Sequence, residues 1–134
     1  MQTAVKRGTD RMMNRESVRA LCAAQPGAQE TYPFGPNTAV YKAAGKMFAL
    51  IPHDAEPPRI NLKCDPEWSE VLRNAYPAVV PGYHQNKKHW NTITLDGSIP
   101  DDEIEELIEH SYELVTKRRG GARGGGPGAS EGTR

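Results

Sequence analysis

Cysteine is scarce in this chain. Cys22 and Cys64 are the two in 134 residues, far apart and in no CxxC arrangement, so neither a disulfide framework nor a zinc site is indicated. Long apolar runs are missing as well: nothing approaches the roughly 18 residues of a membrane span. The first residues lack the apolar core of a signal peptide. Charge of one sign is not in excess, because 17 Lys and Arg balance 17 Asp and Glu. That balance disfavours a strong nucleic-acid binder, which needs a concentrated basic face for counterion release. A local basic face remains open. Glycine-rich phosphate loop, nucleophile elbow, HExxH and helix-turn-helix are all absent. The expectation is a cytoplasmic protein with reduced thiols, without membrane, cofactor or catalytic activity.

What is present divides into three parts. Residues 1–13 carry no clear pattern. Residues 119–134 (RGGARGGGPGASEGTR) are mostly glycine without a bulky apolar side chain, so they cannot offset their chain entropy and are expected to be disordered. Residues 14–118 are expected to form one domain of ordinary single-core size. Charge is unevenly spread along it. Asp96, Asp101, Asp102, Glu103, Glu105, Glu106, Glu109 and Glu113 follow one another with no intervening Lys or Arg, whereas basic residues exceed acids between 36 and 95 and again after 114.

Periodicity sketches the elements. Asn14 is a candidate N-cap for a first helix with Val18, Leu21 and Cys22 on one face, stopped by Gln25-Pro26-Gly27. A short strand is expected at Tyr32–Phe34, then a hairpin of Ala39–Ala43 and Lys46–Ile51 around Ala44-Gly45. Arg59–Cys64 alternates, with Ile60, Leu62 and Cys64 on one face and Arg59, Asn61 and Lys63 on the other. Asp65 caps a helix that has Pro66 at its first position and turns Trp68, Val71 and Leu72 inward. Tyr76–Val80 is extended. A last helix runs from Pro100 or Asp101 to about Arg118, with Ile104, Leu107, Ile108, Ser111 and Val115 on one face. Its acids match the positive end of the helix dipole. The layout predicts an α+β domain: one antiparallel sheet with helices over one face.

The stretch PGYHQNKKHWNTITLDG, residues 81–97, is the most informative. Ile93 and Leu95 want the core, so Trp90, Thr92 and Thr94 lean to the open face. Trp90 is then either near solvent or seated under the preceding loop. Read alone, Lys87-Lys88-His89 is a solvated basic turn.

The strings TYPFGPNTAVYKAAGKMFALI and INLKCDPEWSEVLRNAYPAVVPGYHQNKKHWNTITLDGSIPDDEIEELIEHSYELV resemble the MmcQ/YjbR family across roughly residues 14–116. LKCDPE, PGYH, NKKHWN and SYELV are the specific matches, and Gln85 stands where many relatives carry Met. The resemblance implies a CyaY (frataxin-like) fold and DNA binding through a double wing of hairpins, with no catalytic activity. Carried onto this chain, it implies a nucleic-acid surface made of Lys42, Lys46, Lys63, Tyr83, His84, Lys87, Lys88, His89 and Trp90. Lysines would meet phosphates, and Tyr83, His84 and Trp90 would stack on bases or pack on sugars. Asn86 and Asn91 either bond base edges or cap the turn. His84 and His89, with reference pKa near 6.5, would strengthen binding below neutral pH. Arg119, Arg123 and Arg134 form either a flexible basic arm or a solvated terminus.

Three other readings stand beside this one. A Cys64 thiolate paired with His84 or His89 would make an enzyme, but the alternation buries Cys64. A ridge of Asp101, Asp102, Glu105 and Glu109 would suit a frataxin-like metal site with hard oxygen ligands. An exposed aromatic patch of Tyr83 and Trp90 would suit a protein partner.

Overall fold

The computed structural model describes residues 13–82 and 86–116; the expectations for the two ends, and for Tyr83, His84 and Gln85, lie outside the described residues. The order is α1 (Arg15–Ala23), β1 (Gln29–Thr31), β2 (Thr38–Ala43), β3 (Lys46–Pro52), β4 (Arg59–Lys63), α2 (Pro66–Ala75), β5 (Val79–Pro81), β6 (Trp90–Thr94) and α3 (Asp101–Thr116). The strands form a single antiparallel sheet in the order β1-β2-β3-β4-β6-β5. All three helices bury their apolar stripes on one face of it, which gives the α+β class.

Local chemistry explains the boundaries. Asn14 caps α1 by accepting from Ser17 N (2.8 Å), and the Ser17 hydroxyl oxygen accepts from Asn14 N in return. Asp65 caps α2 by accepting from Glu67 N, with Pro66 opening the helix. β2 and β3 meet across Ala44 and Gly45, both at positive φ (54° and 77°), the two-residue turn whose twist matches the strands. The expected strand at Tyr32–Phe34 instead falls at Gln29–Thr31. The chain leaves the sheet at Tyr32, where the Pro33 and Pro36 rings offer no N–H to a ladder.

Alternation holds with one interruption. Val18, Ile60, Leu62, Ile93, Ile104, Leu107, Ile108 and Val115 are all buried in the helix-side core. Register pairs Tyr41 with Ala49 but Lys42 with Met47, leaving Phe48 as an extra residue. This bulge turns Phe48 and Ala49 both into the core and resets the pattern, so that Met47 and Leu50 face the other way. Ser111 of α3 serves the gap: its hydroxyl donates to the Phe48 carbonyl (2.5 Å) and accepts from Lys63 N (2.9 Å). A polar residue within an apolar stripe is thereby fully satisfied. Val71 does not turn inward: it is 62 % exposed, while Ser69 and Leu72 face the sheet. Leu72 sits about 100° further round the helix, and the small Ser69 fits under it against β6.

Candidate functional site

The face of the sheet away from the helices has a distinctive composition. The single carboxylate among the strand residues is Glu30, and it belongs to the helix side, where it accepts from Tyr41 Oη (2.7 Å) and faces Arg19 of α1 (3.4 Å). The register places Thr38, Val40, Lys42, Met47, Leu50, Arg59, Asn61, Lys63, Val80, Trp90, Thr92 and Thr94 on the open side.

Lysines collect at one end of this sheet. Lys42 lies across from Met47 beside the Ala44-Gly45 turn, and Lys63 lies across from Trp90. The Lys87-Lys88 turn immediately precedes Trp90. Lys46 shares this end but not this face, because it pairs with Ala43, a core residue. With strands about 4.8 Å apart, the row from β2 across β3 and β4 to β6 spans about 14 Å.

The turn that carries Lys87 and Lys88 is tightly made. Asn86 Oδ1 accepts from Lys88 N (2.9 Å), and the Asn86 carbonyl accepts from His89 N and Trp90 N (both 3.0 Å). Cys64 N donates to the His89 carbonyl (2.7 Å) and Gly82 N to that of Trp90 (2.9 Å), so the turn is sewn to β4 and closed upon itself. Of the two readings of Asn86, the turn cap is the one observed. Asn91 is not available to a ligand: it is 1 % exposed, donates to Ser69 Oγ (3.1 Å) and accepts from Arg73 Nε (2.8 Å). Its odd parity relative to Trp90 sends it to the helix side.

Trp90 reaches the open side, as its parity requires, yet is buried. It packs with Val40 and Leu50, with Met47 against them, as a second small core. Its ring is therefore not an exposed stacking platform, and the expected Tyr83–Trp90 patch lacks its tryptophan. Among the described residues the exposed large apolar side chains are Tyr32, Phe34, Val71 and Leu114. Phe34 follows Tyr32 in the loop at the opposite end of β2, where Tyr32 stacks on His53 (5.7 Å between centroids).

The other candidate chemistries are placed too. Burial pushes the Cys64 thiol up to about 11 and that of Cys22 up to about 12, so neither is a thiolate near neutrality. Asp101, Asp102, Glu105 and Glu109 are exposed along α3. Among the described residues no group of three or more His, Cys, Asp or Glu is gathered as a metal would need, and no helix is long and apolar enough to cross a membrane.

Arg73 is the residue that reading the sequence passed over. From α2 it reaches the Lys87 and Trp90 carbonyls as well as Asn91. The signal available was an arginine in the last turn of a helix whose other charged residues are Glu67 and Glu70.

Among the described residues, three helices on a six-stranded sheet with a lysine-bearing end define an α+β domain. The YjbR family model matches residues 23–114, and the chain belongs to that family. It is 37 % identical over 106 residues to YbdF, an uncharacterised protein of Escherichia coli O157:H7, covering 79 % of this chain and 87 % of that one. Identity is also 37 % over 92 residues to the uncharacterised YjbR of Escherichia coli K12, covering 69 % and 78 %. Among solved structures, the crystal structure of Deinococcus radiodurans protein DR2400, with a DUF419 domain, is similar at TM-score 0.75 and 43 % identity over 84 % of each chain. A Pseudomonas syringae protein is similar at TM-score 0.67 and 30 % identity, over 77 % of this chain and 99 % of that one.

Proposed function

We propose that this YjbR-family protein is a non-enzymatic DNA-binding protein of the cytoplasm, acting through the lysine-bearing end of its sheet. The observation that carries this is the asymmetry of charge: the open face has no carboxylate on its strands, while Lys42 and Lys63 stand on it beside the Lys87-Lys88 turn. The Ala44-Gly45 hairpin and the 86–89 turn both lie at that end, which supports a double-wing reading. The ~14 Å row between them is comparable to the ~12 Å width of a major groove, so lysines at its ends reach phosphates on both sides. Exposed carboxylates line α3 on the opposite layer and repel a duplex, which leaves one productive orientation. A CyaY-like fold agrees with helices gathered on one face of an antiparallel sheet. Two buried thiols agree with a reducing compartment.

Recognition is mainly of phosphate. Trp90 and Asn91 are buried, which removes one stacking ring and one base-edge donor and leaves point charges to supply affinity. Binding is then micromolar or weaker and largely indifferent to sequence, as for non-specific contacts.

A salt titration of binding to a mixed-sequence duplex tests this. Four lysine–phosphate contacts give a slope of log K against log salt of about −3 to −4, and Lys87→Ala with Lys88→Ala flattens it by about 2. A parent protein that fails to bind at low salt, or a folded double variant that binds like the parent, refutes the reading. The exposure of Phe34 beside Tyr32 favours a second one, a protein partner at the other end of the sheet; its binding would be nearly salt-independent.

A further inference from the structure

Arg73 is basic, half-buried and close to the lysine turn, so charge counting alone would assign it to a phosphate. Its hydrogen bonds point elsewhere. Nε donates to Asn91 Oδ1 (2.8 Å), and Nη2 donates to the carbonyls of Lys87 (2.6 Å) and Trp90 (3.4 Å). Asn91 is itself held by Ser69 Oγ, one turn earlier on the same helix. The guanidinium thus clamps both ends of the lysine-bearing turn to α2, using the fixed fork that lysine lacks.

We infer that Arg73 is a positioning residue: it holds the Lys87-Lys88 turn in its binding geometry and does not itself contact the nucleic acid. This rests on the reading of the lysine end as a DNA surface. The physical reason is preorganisation. A turn of four residues that must be ordered on binding loses affinity to chain entropy, whereas one already clamped does not. Asn86 closes the turn locally, but a local cap does not set where the turn stands relative to Lys63 and Lys42. The bonds from Cys64 N to the His89 carbonyl and from Gly82 N to the Trp90 carbonyl tie the turn to its neighbouring backbone, and Arg73 ties it to α2. Charges on a swinging turn still meet phosphates, one at a time and at greater entropic cost, so affinity falls while the number of counterions displaced stays the same.

The test compares Arg73→Lys and Arg73→Gln with the parent and with Leu72→Ala, a neighbouring core variant that loosens the fold but removes none of the hydrogen bonds to the turn. Duplex affinity is measured at several salt concentrations. Amide exchange of Lys88, His89 and Trp90, whose N–H groups all bond to Asn86, is measured without DNA. Both Arg73 variants are expected to exchange faster at these three amides and to bind roughly tenfold more weakly with an unchanged salt slope; Leu72→Ala is expected to do neither at temperatures where it is folded. If Arg73→Lys binds like the parent while Arg73→Gln binds weakly with a flatter slope, Arg73 is a phosphate ligand and the inference is wrong. Unchanged exchange at the three amides in both variants overturns it equally, whether or not DNA binds. Loss of binding by the lysine double variant with no effect of Arg73 would spare the functional reading and sink this one.

Discussion

On the helix side of the sheet, Phe48, Ile51, Ile60, Leu62 and Ile93 are enclosed by α1, α2 and α3 in one continuous core. On the other side a cluster of Val40, Leu50 and Trp90, with Met47 beside it, stands among lysines, threonines and Asn61. The first arrangement is the ordinary solution for a sheet that must bury one face. The second is smaller, three buried side chains with Met47 packed against them. Trp90 follows the 86–89 turn and lies across from Lys63, so this cluster sits at the lysine-bearing end of the sheet. An apolar cluster and a group of lysines share that end of the molecule.

Substitutions on the two faces sharpen this contrast. Ile108→Ala, in a side chain with no exposed surface, is expected to cost about 3 to 4 kcal/mol in denaturant unfolding. Leu50→Ala, whose neighbours are fewer, is expected near the low end of such changes, about 2 kcal/mol. Equal losses would break the comparison and make the open-side cluster a second core in its own right.

Glu30 offers a smaller and pH-dependent effect. Hydrogen bonds from Tyr32 and Tyr41, and Arg19 nearby, hold its carboxyl below the ordinary 4.5. A carboxylate lowered in the folded state stabilises fully above its unfolded value and loses that contribution as pH falls through the folded one. Glu30→Gln should therefore be less stable than the parent by about 1 kcal/mol at neutral pH, with the gap closing in acid. A gap that persists in acid would show the loss to be one of shape.

Smallest in stability is the pair Lys42→Gln and Lys63→Gln on the open face, each within about 0.5 kcal/mol of the parent by thermal unfolding. Both should nonetheless weaken duplex binding and reduce its salt slope by about 1 apiece. A large stability loss would mean that these side chains roof the Trp90 cluster, and would tie charge to packing on this face.

Much of the fold was legible because its signals are local. Capping at Asn14 and Asp65, the Ala44-Gly45 turn, the alternation in β4 and β6 and the stripe Ile104, Leu107, Ile108, Ser111 and Val115 all depend on residues a few positions apart. The candidate lysines came from the family resemblance, and the strand register is what brings Lys42, Lys63 and the Lys87-Lys88 turn to one end of the sheet. Where the reading went astray, a distant partner decided the outcome. Val71 fits an apolar stripe by type, but the sheet chose Ser69 and Leu72 instead. Asn91 looks like a polar group for a ligand, and Arg73 and Ser69 consume it.

The amino-acid sequence by itself determined the family, the class of fold, the identity of most elements and the parity that sends Trp90, Thr92 and Thr94 to one face and Ile93 to the other. Periodicity carries such information because side-chain direction follows from backbone geometry at each residue. Only the tertiary structure decided that β6 lies between β4 and β5, that a bulge turns Phe48 and Ala49 together into the core, that Ser111 bridges the gap so made, and that Arg73 clamps the lysine turn. Each of these is a choice of partner across tens of residues, settled by which buried polar groups can be satisfied at once, and no short window of sequence contains both halves of the bond.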